Sequence, residues 1–247
     1  MKRILIFTLL ICINIFTFAQ DTTPLRIGVD NFYPPYVMRA GNNQVFGFDI
    51  SIMEGVCQLM NKKCIYYPMP FTNLLSKVEQ GELDAAVGAI TITPERASHV
   101  SFSIPYLNSQ ARFLSNKNVK PDSFNLATLK NYNIGAVRGT IFPRLLNSLG
   151  IADSRITLYD RFDFMIDSLG DKEIDIAIMD NASAINWQEQ SSNVLIALGQ
   201  PFNYGYGIAI AINRNKTELI SEINGALEKY LKGSDYKKNY DKYLSYF

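Results

Sequence analysis

Apolar residues in the first half of the chain fall into short runs that alternate with helical patterns. Residues 25–29, 64–67 and 85–89 are β-prone, and between them apolar positions recur at helical spacing over 50–60 and 71–79. Such alternation predicts crossover units on a parallel sheet. A second set follows, with strands expected at 133–137, 155–158, 174–179 and 194–197 and helices at 142–149, 161–169 and 181–188. Two α/β units in one chain predict two lobes with a cleft between them, the usual place for a small ligand. Near the C-terminus Leu219, Ile223, Leu227 and Leu231 keep helical spacing, and the Lys and Tyr residues around them read as a solvated face.

The first residues are not expected to join this fold. Lys2 and Arg3 precede an apolar run over 4–18, and Thr17-Phe18-Ala19 offers small residues where a signal peptidase reads. The expectation is a secretory signal over 1–19, because the run is shorter than the roughly 20 residues of a spanning helix. Its removal takes Lys2 and Arg3 out of a net charge of +1 and leaves −1. A near-neutral protein has no electrostatic case for nucleic acid or an anionic membrane surface.

The stretch Gly88-Ala-Ile-Thr-Ile-Thr-Pro-Glu-Arg96 carries the most chemistry. Ile90 and Ile92 alternate with Thr91 and Thr93, as in a strand leaving a core, and Pro94 suits a first helical position with Thr93 as its cap. Free N–H groups at that helix start favour an anion, and the fork of Arg96 can hold both oxygens of a carboxylate. An ordinary capped helix whose arginine meets a neighbouring Glu fits the segment equally well. Asp180 ends an apolar run where a helix is expected to start, which suits either a plain N-cap or a partner for an ammonium group. With His99 as the single histidine, no metal site is expected, no G-x-S-x-G elbow or phosphate loop appears, and no cofactor is implied. Catalysis would have to rely on carboxylates such as Asp30 or Glu173.

Six segments together are specific. Residues 25–36 (LRIGVDNFYPPY), 46–52 (FGFDISI), 81–106 (GELDAAVGAITITPERASHVSFSIPY), 134–140 (IGAVRGT), 173–180 (EIDIAIMD) and 204–210 (YGYGIAI) resemble, in order and spacing, the bacterial periplasmic amino-acid-binding proteins of polar-amino-acid ABC importers. The resemblance implies a type 2 periplasmic-binding-protein fold with two crossover hinge strands and a ligand cleft. It places lobe one at 24–110 plus 206–247 and lobe two at 111–205, with crossings near 108–116 and 202–207. It further implies that Arg96, Thr91 and the Thr140 N–H take a ligand carboxylate, while Asp180 and the backbone carbonyl of Ala89, next to Ile90, take its ammonium. Tyr33 and Phe71 would sandwich its aliphatic part, although most of the 15 Phe and 14 Tyr must fill cores.

Asp30 stands where relatives of basic or glutamine ligands keep an acidic residue, whereas Arg138 could favour an acidic one. Ile141 and Phe142 replace residues that are often polar, which makes that wall more apolar. Once Cys12 leaves with the signal, Cys57 and Cys64 remain, and some family members carry a disulfide at that spacing; two free thiols are the alternative. The implied protein is a periplasmic monomer that hands an amino acid to an inner-membrane permease. Two other readings are a sensor module serving a separate receptor and a dehydratase-like enzyme on the same fold.

Overall fold

The computed structural model describes residues 23–42, 44–117 and 124–244, so the expected signal over 1–19 lies outside it. The chain begins with β1 (Leu25–Asp30), a short hairpin of β2 (Met38–Arg39) and β3 (Val45–Phe46), α1 (Phe48–Leu59), β4 (Cys64–Met69), α2 (Phe71–Glu79), β5 (Ala85–Val87), the one-turn α3 (Pro94–Ala97) and β6 (Ser101–Phe102). The second unit runs β7 (Gln110–Asn116), β8 (Ile134–Val137), α4 (Phe142–Ser148), β9 (Ile156–Tyr159), α5 (Phe162–Gly170), β10 (Ile176–Asp180), α6 (Asn181–Gln190) and β11 (Leu195–Asn203). The chain then returns through β12 (Ala211–Ile212) and closes with α7 (Thr217–Lys232) and α8 (Ser234–Leu244).

Each unit is a five-stranded sheet, in the orders β4-β1-β5-β12-β6 and β11-β7-β10-β8-β9. Strand β1 pairs in parallel with β4 and β5 and is buried at five of its six positions, as a strand covered on both faces requires. In the second sheet β8 is parallel to β9 and β10, but β7 runs antiparallel to β10 and β11. The residues of β7, QARFLSN, show neither alternation nor an unbroken apolar run, and the sequence gives no sign that they form a strand between β11 and β10. Strand β11 likewise extends well beyond the 194–197 expected for it, through a register shift between Leu198 and Phe202.

Helix α7 buries Leu219, Ile223, Leu227 and Tyr230 against lobe one, while Leu231 is only partly buried. The Tyr230 ring lies on Gly55 of α1, where an added Cβ would stand 2.1 Å from Cε2. Arg26 and Lys216 both pair with the buried carboxylate of Asp84, which ties β1 to the entry of α7. Cys57 of α1 and Cys64 of β4 form a disulfide that closes the helix-to-strand turn. By loop-closure entropy so short a ring contributes about 2 kcal/mol.

The chain passes between the sheets twice, over 103–109 and 204–210. The two passages touch: Leu107 and Ile208 form an antiparallel bridge, and the Ile208 N–H donates to the Leu107 carbonyl at 2.8 Å. The returning passage is also sewn to lobe one, since Ile92 N donates to Gly207 O at 2.9 Å and Tyr206 N to Ile92 O at 3.1 Å. Gly205 makes this possible with φ +58, and a Cβ there would come within 2.3 Å of Thr91 Cγ2. No helix among the described residues is long and apolar enough to cross a membrane.

Candidate functional site

Arg96 and the groups around it come from lobe one. Thr93 is extended and caps α3, its Oγ1 accepting from the Arg96 N–H at 3.2 Å, with Pro94 in the first turn. That turn aims Arg96 across the cleft. Its Nη1 donates to Thr91 O at 2.9 Å, its Nη2 to Gly139 O of lobe two at 3.0 Å, and its guanidinium lies 5.6 Å from the centre of the Phe71 ring. Burial lowers the Arg96 pKa, against the pull of Tyr204, Asp180 and Glu95. A half-buried guanidinium gains from a carboxylate that its fork can hold.

The floor between β5 and Thr91 is held by a residue the sequence reading passed over. Ala89 has φ +51, a conformation rare for a side-chain-bearing residue, and its N–H donates to Asp49 Oδ2 at 2.6 Å. Asp49 is in the first turn of α1 and fully buried, and burial pushes its carboxyl up to about 7 against the N–H groups of Ala89 and Gly88 and the hydroxyl of Tyr106. A carboxylate inside the apolar run FGFDISI was the available signal, because a charge there needs a partner.

Asp180 comes from lobe two. Asp180 ends β10 and stands at the N-cap position of α6, yet its side chain makes no cap hydrogen bond. The carboxylate turns into the cleft instead: Oδ2 accepts from the Tyr33 hydroxyl at 2.6 Å, and Oδ1 accepts a short hydrogen bond from the Tyr204 hydroxyl. Burial raises its pKa to about 6 despite both hydroxyls and the charge of Arg96. Thr91 Oγ1 donates to the Tyr204 hydroxyl at 3.3 Å, so Tyr204 links Thr91 to Asp180. Tyr204 reaches this place from the returning passage, and only its neighbourhood in YGYGIAI hinted at it. Thr140 faces the same space from the start of α4, its N–H and Oγ1 both donating to Val137 O, at 3.3 and 2.6 Å.

These groups surround one nearly filled cavity of about 10 Å³, so a ligand enters only as the lobes part. Of the residues singled out from sequence, Tyr33, Phe71, Ala89, Thr91, Arg96, Thr140 and Asp180 line it, together with Ile141 and Phe142. Two do not. Ile90 turns fully into the core beside Phe71, Leu74 and Val78, the consequence of alternation along this segment. Asp30 is buried beside the cavity, with Oδ2 making no hydrogen bond among the described residues, and burial raises its carboxyl to about 7. Tyr33 and Phe71, expected to sandwich a ligand's aliphatic part, both line the cavity. Tyr33 stacks on Phe162 with ring centres 3.6 Å apart, and Phe71 lies against Arg96.

Arg138 points away, paired with Asp160 at 3.1 Å, and His99 is exposed and paired with Glu79 at 2.9 Å. Glu173 is occupied on the surface by Ser168. No cluster that could hold a metal ion occurs among the described residues. The cavity opens to a wider mouth in which Glu95 of lobe one pairs with Arg144 of lobe two.

A family model, bacterial extracellular solute-binding proteins, family 3, matches residues 25–246. The chain belongs to this family. The solute-binding protein is 27% identical over 249 residues to the ABC transporter arginine-binding protein 1 of Escherichia coli K12, a match covering 99% of each. Among solved structures it is similar to an ancestral arginine-binding protein bound to arginine, with TM-score 0.81 and 26% identity over 90% of this chain and 98% of that one. An ancestral amino-acid-binding protein described as a precursor of cyclohexadienyl dehydratase has TM-score 0.81 at 21% identity, covering 90% of this chain and 95% of that one. At that identity the likeness is one of fold. The two-lobed α/β architecture of the solute-binding protein is thus that of its family.

Proposed function

We propose that the protein captures a free L-α-amino acid in the cleft by closure of its lobes and delivers it to an ABC importer. One observation carries the reading: Arg96 from lobe one and Asp180 from lobe two line the same cavity, with Thr91 and Tyr204 between them. A zwitterion supplies both missing charges. Its carboxylate would take the donors of Arg96, Thr91 and Thr140, and its ammonium would take Asp180 in place of a tyrosine hydroxyl. Held by both lobes, the ligand favours the closed arrangement. Asp30, buried beside this space but not in its wall, would disfavour aspartate and glutamate once ionised, by charge acting through a poorly screened interior. Relatives named as periplasmic or ABC-transporter proteins support the periplasm as its compartment and an ABC importer as its partner.

Calorimetry of refolded, ligand-stripped protein against the common L-amino acids tests this. Saturable binding of one or a few of them is expected. Binding of a sugar or peptide with none by amino acids would refute it.

A further inference from the structure

We infer that Asp49, which does not itself line the cavity, is a positioning residue for the ligand's ammonium: it holds Ala89 in a left-handed conformation that leaves the Ala89 carbonyl free in the cavity wall. The inference rests on the reading of the cleft as an amino-acid site.

Strand β5 ends at Val87, and the backbone then turns sharply, with φ +149 at Gly88 and +51 at Ala89. Glycine adopts such values freely, whereas the Cβ of an alanine resists them. The hydrogen bond from the Ala89 N–H to Asp49 Oδ2, at 2.6 Å, opposes that resistance. Relaxation of Ala89 would break the bond where both partners are buried and water cannot replace it.

The consequence shows in the carbonyls that follow. Ile90 O takes the Ala209 N–H at 3.0 Å, and Thr91 O takes Arg96 Nη1 at 2.9 Å. The carbonyl of Ala89 accepts no hydrogen bond among the described residues, although Ala89 is buried and lines the cavity. A buried carbonyl without a donor is uncommon, and a ligand ammonium is a donor that would satisfy it.

Asp49 is itself fixed. Its own N–H donates to Tyr36 O at 3.1 Å and the Phe48 N–H to Pro35 O at 3.0 Å, so the first turn of α1 is fastened to the segment that carries Tyr33. Gly47, just before that turn, lies so close that an added Cβ would stand 2.3 Å from Tyr36 O. Tyr33 meets Asp180 at 2.6 Å. One side chain behind the cleft therefore sets the lobe-one acceptor relative to the tyrosine that meets the lobe-two acceptor.

Because the strain sits in a single Cβ, it can be removed without touching Asp49, and this separates positioning from packing. Calorimetry with the common L-amino acids, L-arginine and L-glutamine among them, is run on ligand-stripped wild type, Asp49→Asn, Asp49→Ala, Ala89→Gly and the double variant Asp49→Ala with Ala89→Gly. Asp49→Asn keeps an acceptor and is expected to bind as the wild type does, and so is Ala89→Gly. Asp49→Ala is expected to lose about tenfold in affinity. In the double variant glycine reaches the same φ without a holder, and most of that loss is expected to be recovered. Asp49→Leu fills the space without offering an acceptor and takes the place of Asp49→Ala if that variant does not fold. A loss that glycine does not recover would mean that Asp49 only supports the packing of lobe one, and overturns the inference. Unchanged affinity in folded Asp49→Ala or Asp49→Leu overturns it as well. If the wild type binds no L-amino acid, the reading of the cleft fails first and the inference falls with it, a result distinct from the other two.

Discussion

Raising the pH from 5 to 8 is expected to destabilise the ligand-free protein, and Asp49 is the residue on which this is best measured. Its carboxyl rises from 3.8 to about 7 on folding because burial outweighs the N–H groups of Ala89 and Gly88. Below pH 3.8 both folded and unfolded chains hold the proton. Between there and about 7 only the folded chain holds it, so stability falls as pH rises. Across that window one proton corresponds to about 1.4 kcal/mol per pH unit, or about 4 kcal/mol in all.

Asp30 and Asp180 are raised in the same direction, to about 7 and about 6. Full ionisation of all three buried carboxyls would consume most of the 5–15 kcal/mol that holds a typical domain folded. Asp180 has a remedy, because it meets Tyr33 across the lobes and opening the cleft would return it to water. Asp49 lies inside lobe one and gains nothing from opening. Asp84, held at about 2 by Arg26 and Lys216 against its own burial, contributes in the opposite sense only below 3.8 and does not disturb the comparison. Urea denaturation at intervals from pH 5 to 8 is the assay. Asp49→Asn keeps an acceptor for the Ala89 N–H and removes the titrating group, so its stability is expected to fall by about 1.4 kcal/mol less per pH unit than that of the wild type between pH 5 and 6.5. Identical slopes for the two proteins would mean that Asp49 stays ionised throughout, and that its hydrogen bonds outweigh its burial.

Arg96→Ala is expected to weaken amino-acid binding by about 2–5 kcal/mol in calorimetry while the protein stays folded, since it strips a desolvated carboxylate of its charged partner. Near-wild-type affinity would displace the anion site from α3. Reduction of the disulfide, or Cys57→Ser with Cys64→Ser, is expected to lower stability by about 2 kcal/mol in urea unfolding. Ligand affinity is expected to change little, because the bridge joins α1 to β4 and neither cysteine lines the cavity.

What the sequence made legible is mostly local. The alternation of Ile90 to Thr93 followed by Pro94 predicts the cap that Thr93 makes to Arg96, three residues away. The repeated strand and helix patterns predict both sheets. Strand β7 was not legible, because a strand recruited between two antiparallel neighbours needs no pattern of its own once the sheet covers it. In the site, local pattern alone leaves Asp180 a plain N-cap and only the family resemblance of 173–180 points elsewhere, while the carboxylate is found on the hydroxyl of Tyr33, 147 positions earlier. Phe162 and Tyr204 look like any other aromatic residues in a chain with 29 of them, 15 Phe and 14 Tyr. Their importance comes from which lobe carries them and what they meet on the other, and no local pattern encodes that.

The bridge between Leu107 and Ile208 has a mechanical consequence. If the lobes close as proposed, two passages joined side by side would act as a single pin, so that sliding of one lobe past the other would break the Ile208 N–H to Leu107 O bond. Displacement then grows with distance from the pin. When such a hinge opens, Tyr204, in the returning passage, is expected to keep its reach to Thr91, while Glu95 and Arg144, which meet across the mouth, are expected to part. A spectroscopic label pair at those two positions would read a rotation at the pin as a change in distance.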